Sequence, residues 1–163
     1  MEPLAETFNV TPQTIRRDLN QLRELGLLHR VHGGAIVQDG VSNLGYEARR
    51  RISNEEKEAI AHCAAGLIPD DTSLFINIGT TTEQVAQHLI KHVGLLVITN
   101  NINVANSLRQ CETIQVMTAG GIVRREDGGI VGDATVDFIA QFKVDYAVIG
   151  ASAIEEDGTV LDY

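Results

Sequence analysis

Proline occurs only three times in 163 residues, and tryptophan is absent. With so little proline and 44% hydrophobic residues of mixed type, the chain is neither collagen-like, nor disordered, nor a coiled coil. No apolar run reaches the ~18 residues of a membrane-crossing helix, and the start has no signal-like pattern. A soluble cytoplasmic protein with no membrane partner is expected. Cysteine is nearly missing as well. Cys63 and Cys111 lie far apart, so they are expected as reduced, buried small side chains and not as a disulfide or metal pair. Neither a metal nor another cofactor is called for. Positive charge is scarce: 13 Lys and Arg stand against 22 Asp and Glu, a net charge of −9. Taken alone, that balance argues against nucleic acid.

The distribution of charge changes this reading. Residues 1–52 hold seven arginines and six acids, a net of +1, whereas residues 53–163 hold six basic and 16 acidic residues, a net of −10. All the acidity belongs to the second segment. Two parts with different tasks are expected.

In the first part, residues 3–8 (PLAETF) read as a short helical stretch and Asn9-Val10 as a turn. Thr11-Pro12 is then a strong helix start, since threonine caps free N–H groups and proline lacks a donor where none is needed. Ile15, Leu19, Leu22 and Leu25 form one apolar stripe, and Gly26 closes the helix. The opposite face carries Gln13, Thr14, Arg16, Arg17 and Asn20. Arginine and glutamine form paired hydrogen bonds to base edges, worth roughly 1–3 kcal/mol of discrimination each. This is the pattern of a helix–turn–helix DNA reader. Two β-prone runs follow around Arg30, His32 and Gly33-Gly34, a hairpin or wing whose basic tip suits phosphate contacts. The bland alternative is an amphipathic helix and hairpin with a solvated charged face.

Residues 1–37 therefore form the reader, 38–53 a linker without sustained periodicity, and 54–163 a second domain. In the linker Arg49, Arg50 and Arg51 are a basic run, either solvated or close to the DNA backbone or the second domain. From residue 54 helical segments alternate with the strands SLFIN, LLVIT, TIQVMT and YAVIG. Short apolar strands separated by helices indicate an α/β fold with a parallel sheet covered on both faces. Ligands bind such sheets beyond the carboxyl ends of the strands. There the chain places Gly79, Thr80, Thr81 and Thr82, then Thr99 and Asn100, then Gly120 and Gly121, then Gly150 and Ser152. Gly79 and the three threonines before a helix make an anion site suited to phosphate. Arg124 supplies a cation nearby. The pattern is neither a Walker loop nor the GxGxxG fingerprint.

Taken together, TPQTIRRDLNQL, the HGGA wing, LFINIGTTTEQVA, VITNNINVAN, AGGIVR, GGIVGDAT and VIGASAIEEDGTVLDY resemble the DeoR family of bacterial sugar-pathway repressors. The resemblance covers essentially the whole chain. It implies a winged helix–turn–helix reader of double-stranded operator DNA and a sensor resembling ribose-5-phosphate isomerase in fold. It further implies release from DNA by a phosphorylated sugar or polyol such as glycerol 3-phosphate. A homo-oligomer is expected, because one helix and wing contact few phosphates while paired half-sites multiply affinity. By position, Gln13, Thr14, Arg16 and Arg17 would read DNA, with Arg30 and His32 on the wing. Gly79 to Thr82 would cradle the phosphate, with Thr99, Asn100, Gly120, Gly121 and Arg124 around the ligand.

The same comparison supplies a rival, an isomerase-like enzyme. Such enzymes carry acids where this chain has Ser152 and Glu155, and only Glu155 is retained. A serine hydroxyl is no base for a carbon-bound proton near neutral pH, so no enzymatic activity is expected. A metabolite-binding module without DNA function is the third reading. The family's pattern also extends before PLAETF by one helix and beyond Tyr163 by further strands and helices. A chain truncated at both ends is therefore expected, exposing Leu4, Phe8, Ile15 and Leu22 in the reader.

Overall fold

A short helix, α1 (Glu2–Thr7), ends where Asn9 turns into the left-handed region at φ 51, a conformation asparagine tolerates. Helix α2 (Pro12–Glu24) follows at once, with Thr11 Oγ1 accepting from the Thr14 amide at 3.2 Å. Cap and proline together fix where α2 starts. Ala5 and Ile15 are the buried side chains of this helix pair. Strands β1 (Leu28–Val31) and β2 (Gly34–Val37) then pair antiparallel. The computed structural model describes residues 2–24, 28–31, 34–37 and 45–161. They divide into two compact units, one up to Ile52 and one from Ser53 onward.

The second unit opens with α4 (Asn54–Gly66), preceded in the first by α3 (Tyr46–Arg51). It continues through β3 (Ser73–Ile76), α5 (Thr80–His88), β4 (Leu95–Thr99), α6 (Ile102–Leu108) and β5 (Ile114–Thr118). A small hairpin, β6 (Ile122–Val123) and β7 (Ile130–Val131), leads to α7 (Asp133–Ile139) and β8 (Tyr146–Val148). A second hairpin, β9 (Ala153–Ile154) and β10 (Val160–Leu161), follows. The main sheet has the order β5-β4-β3-β8, with every pair parallel.

Apolar residues of the central strands and the helices laid on them form the core. Leu74, Ile76, Leu89, Val97, Val104 and Leu108 have 0% exposure. Each such burial is worth about 1.5–3 kcal/mol. On α4, Ala61 and Ala65 are one turn apart and form the buried face, so their small side chains allow close helix approach. Asp145 ties the start of β8 to β3: its carboxylate accepts from Ser73 Oγ at 2.7 Å and from the Ser73 amide at 2.9 Å. The serine hydroxyl, and then its amide, hold the Asp145 carboxyl below the ordinary carboxylate value.

Four expectations require correction. Neither cysteine is buried: Cys63 is exposed and Cys111 is half-buried, although both are free thiols. Cys63 falls between Ala61 and Ala65 on α4 and so points away from their buried face. The segment expected as a linker contains α3, whose Ala48 is buried. Ile15 is buried at 7% exposure, while Leu4, Phe8 and Leu22 are exposed as expected. Finally, β8 is not a covered strand, since Tyr146 and Ala147 are exposed. Among the described residues it is an edge strand that pairs only with β3. Among the described residues no helix is long and apolar enough to cross a membrane.

Candidate functional site

The sheet order marks a candidate position for a ligand. From β3 the chain steps outward through β4 to β5, then returns to add β8 on the other side of β3. The topological switch point therefore lies between β3 and β8, and in open α/β sheets the crevice at such a point takes the ligand. At its carboxyl end stand the loop from Asn77 to Gly79 and the loop beginning at Ile149. The first of these is tied to the end of β8, where the Asn77 amide donates to Val148 O at 3.0 Å. A β-carbon on Gly150 would stand 3.5 Å from Thr82 Cγ2 and 3.7 Å from Ile78 O.

Gly79 precedes α5 with φ 156. Thr82 is 2% exposed, and its hydroxyl donates to Asn77 O at 2.7 Å and Gly79 O at 2.8 Å. It thus holds the loop in shape and does not face outward. Thr80 and Thr81 are half-buried in the first turn of α5, and their hydroxyls have no side-chain partner among the described residues. Free helix N–H groups beside two open hydroxyls are the chemistry that an anion needs.

Thr99 is likewise structural. Its hydroxyl donates to Ile76 O at 2.7 Å and accepts from the Asn101 amide at 3.1 Å, which locks the ends of β3 and β4 together. Asn101 caps α6, its Oδ1 accepting from the Asn103 amide at 2.8 Å. The β6–β7 hairpin lies across this end. The Ile130 amide donates to Asn100 O at 2.7 Å, and the Ile102 amide to Gly128 O at 3.0 Å. A β-carbon on Gly129 would come within 2.7 Å of Ile78 Cδ1, so a larger residue there would require the Ile78 side chain to shift. Gly121, at φ 152, is pressed against Thr135, whose hydroxyl donates to Gly120 O at 2.8 Å.

Arg124 is engaged within this hairpin. Its Nε donates to Asp127 Oδ1 at 3.1 Å and its Nη2 to Oδ2 of the same carboxylate. The arginine side chain is 45% exposed, while the aspartate side chain is 6% exposed. A buried carboxylate thus orients a half-exposed guanidinium that retains further N–H groups.

Sequence reasoning missed the residues that hold these loops in place. Glu83, 8% exposed, accepts from Asn101 Nδ2 and Asn103 Nδ2, each at 3.0 Å. Asn103 Nδ2 also donates to Asp127 O at 2.9 Å. One network therefore joins α5, α6 and the hairpin. The surplus of asparagine in Asn100-Asn101-Ile102-Asn103 was the available signal, since capping a helix needs only one of them. Ser152 donates its amide to Leu161 O at 2.9 Å, within the β9–β10 hairpin. A cleft of 310 Å³ reaches Thr81, Thr82 and Gly150 but is otherwise walled by apolar residues such as Ile60, Leu67 and Ile149. That lining does not suit a polyol phosphate. Among the described residues no group of three or more His, Cys, Asp or Glu is placed to hold a metal.

In the first unit, Gln13, Arg16 and Arg17 are exposed on the N-terminal half of α2. Thr14 is half-buried, its hydroxyl 2.9 Å from that of Thr11. The first turn of α2 carries no acid of its own to oppose an incoming phosphate, although Glu2 of α1 lines the same cleft as Thr11, Gln13 and Arg16. Arg17 Nε lies 3.5 Å from Asp18 Oδ1, an exposed pair of little energetic weight. His32 and the side chain of Arg30 lie outside the described residues.

Comparison with known proteins adds two family matches. Residues 1–41 match the DeoR-like helix-turn-helix domain, and residues 52–163 match the DeoR C terminal sensor domain. The chain is 48% identical over 162 residues to a glycerol-3-phosphate regulon repressor of Escherichia coli (strain K12), covering 99% of this chain and 64% of that protein. It is 49% identical over 162 residues to a protein of the same name from Haemophilus influenzae, covering 63% of it. An HTH-type transcriptional repressor, CsqR, of Escherichia coli (strain K12) is 42% identical over 163 residues, 62% of its length. The chain thus spans under two thirds of each of these relatives. A ribose 5-phosphate isomerase from Plasmodium falciparum overlaps 41% of this chain and 31% of its own, with TM-score 0.35 and 15% identity. An overlap that slight bears on neither fold nor function.

Proposed function

This chain belongs to the DeoR family, and from that premise we propose that it serves as a ligand-controlled transcriptional repressor of a sugar or polyol catabolic operon. The carrying observation is that one chain joins an exposed, acid-free helix N-terminus bearing Gln13, Arg16 and Arg17 to a sheet switch point where Gly79, Thr80 and Thr81 open helix α5. The first suits DNA, because a helix N-terminus and arginine forks bind phosphates and base edges. The second suits a small anion held by Gly79 to Thr81, with the Asp127-oriented Arg124 guanidinium on the hairpin above the strand ends. Thr82, Thr99, Gly120, Gly121, Gly150 and Ser152 shape the surrounding loops. Arg30 and His32 are assigned to the wing contact with DNA.

The effector is a phosphorylated polyol or sugar, and glycerol 3-phosphate is the leading candidate because two relatives are named repressors of its regulon. A homo-oligomer in the cytoplasm is the working form, since paired reader units multiply affinity for operator DNA. An enzymatic role is not supported. The relatives named above are transcriptional repressors, and Glu155, the acid retained for an isomerase-like reading, is exposed.

Calorimetric titration tests the sensor half. Glycerol 3-phosphate is expected to bind with a dissociation constant at least about tenfold below that of glycerol, a difference of about 1.4 kcal/mol. Equal affinity for the two would remove phosphate from the account.

A further inference from the structure

We infer that Glu2 is a specificity-determining residue of the DNA reader, accepting a hydrogen bond from the N4 amino group of a cytosine and turning phosphate away from the cleft at the head of α2. This rests on the DNA-binding reading above and goes one step further, from the helix that meets DNA to the base that one cleft on it selects.

The cleft measures 470 Å³ and is lined by Glu2, Pro3, Thr11, Pro12, Gln13 and Arg16. A backbone phosphate of DNA presents acceptors only, so a site for it must supply donors. At the start of α2 most backbone donors are already spent. Pro12 has no N–H, and Pro3 in the first turn of α1 has none either. The Thr14 amide donates to Thr11 Oγ1 and the Ile15 amide to Thr11 O, each at 3.2 Å. The Thr11 hydroxyl is itself 2.9 Å from that of Thr14. Among the first residues of α2, the Gln13 amide alone is left open.

What the cleft offers instead is a mixed set of side chains. Glu2, Gln13 and Arg16 are exposed, and none of them has a hydrogen-bond or ion-pair partner among the described residues. The carboxylate only accepts, the guanidinium only donates, and the amide does both. Such a set matches a base edge, which presents donors and acceptors together, and mismatches a phosphate. Glu2 is also the wrong charge for a phosphate. In the major groove the donors that suit a carboxylate are cytosine N4 and adenine N6, but adenine sets its N7 acceptor beside N6. A carboxylate has nothing to give N7, so cytosine is the better partner. Glu2 also complements the dipole of α1 from its first turn. That second role is indifferent to which base lies opposite.

The test selects duplexes from a randomised library with the full chain and reads base preference position by position. The wild type is expected to select a cytosine at one position of its site. In Glu2→Ala the preference there falls roughly tenfold, as loss of one base-edge contact allows, while the other positions keep theirs. In Glu2→Gln the same position turns from cytosine to adenine, whose N6 and N7 a glutamine amide pairs with. Each variant is checked for a cooperative melt. Glu6→Gln removes the same charge from the exposed side of α1 outside the cleft and is expected to keep the wild-type profile. A profile unchanged in both Glu2 variants, or folded Glu2 variants that select no sequence at all, overturns the inference and leaves the DNA reading standing. Failure of the wild type to enrich any sequence overturns the DNA reading, and this inference with it.

Discussion

Replacing Arg16 and Arg17 together by alanine is expected to abolish sequence-specific DNA binding while effector binding persists. Both side chains are exposed on the N-terminal half of α2, whose first turn carries no acid of its own. A well-formed arginine contact to a base edge contributes about 1–3 kcal/mol, so losing both costs on the order of 30-fold to over 1,000-fold in affinity. Electrophoretic mobility shifts with duplex DNA from upstream of the neighbouring genes read this directly. The salt dependence adds a second reading. If either arginine sits on a phosphate and not on a base, its removal lowers the log–log salt slope by about one. Unchanged shifts in the double variant would move the DNA interface away from α2.

Changing Thr81 to glutamate is expected to give a repressor that stays on DNA in the presence of effector. Thr81 is half-buried in the first turn of α5, beside the open N–H groups that the phosphate would meet. A carboxylate there occupies the anion's place and repels it. Two charges about 4 Å apart at a partly screened surface interact by about 4 kcal/mol, which corresponds to a loss of several hundred-fold in effector affinity. The fold itself tolerates the change, since an acid in a helix's first turn complements the dipole. Thr81→Val, which keeps the bulk without the charge, is expected to lose far less. A Thr81→Glu protein that binds effector normally would show that the cradle lies elsewhere.

Sequence patterns carried the parallel sheet well, because short apolar runs between amphipathic segments leave few alternatives. LLVIT is β4 to the residue, and the cap at Thr11 lies where Thr-Pro places it. What escaped were features set by residues far apart in the chain. Glu83 and Asn103 are 20 residues apart, and each taken singly reads as part of a solvated helix face. Only the packing of α5 against α6 turns them into a buried network. Among the threonines, sequence could not separate Thr82, whose hydroxyl is spent on its own loop, from Thr80 and Thr81, whose hydroxyls are open. The exposure of Cys63 was missed for a related reason. Composition describes where cysteine usually sits, but the buried side of α4 is set by Ala61 and Ala65. The two-residue strands of β9 and β10 are too short to give a periodic signal at all.

The most direct measurement is the affinity of the chain for operator-region DNA with and without glycerol 3-phosphate, by fluorescence anisotropy of a labelled duplex. A coupled reader and sensor is expected to bind DNA about 5–150-fold more weakly when the effector is saturating, and linkage requires DNA to weaken effector binding by the same factor. DNA affinity that does not change while calorimetry shows the phosphate ester bound would contradict the account, leaving two units in one chain that do not communicate.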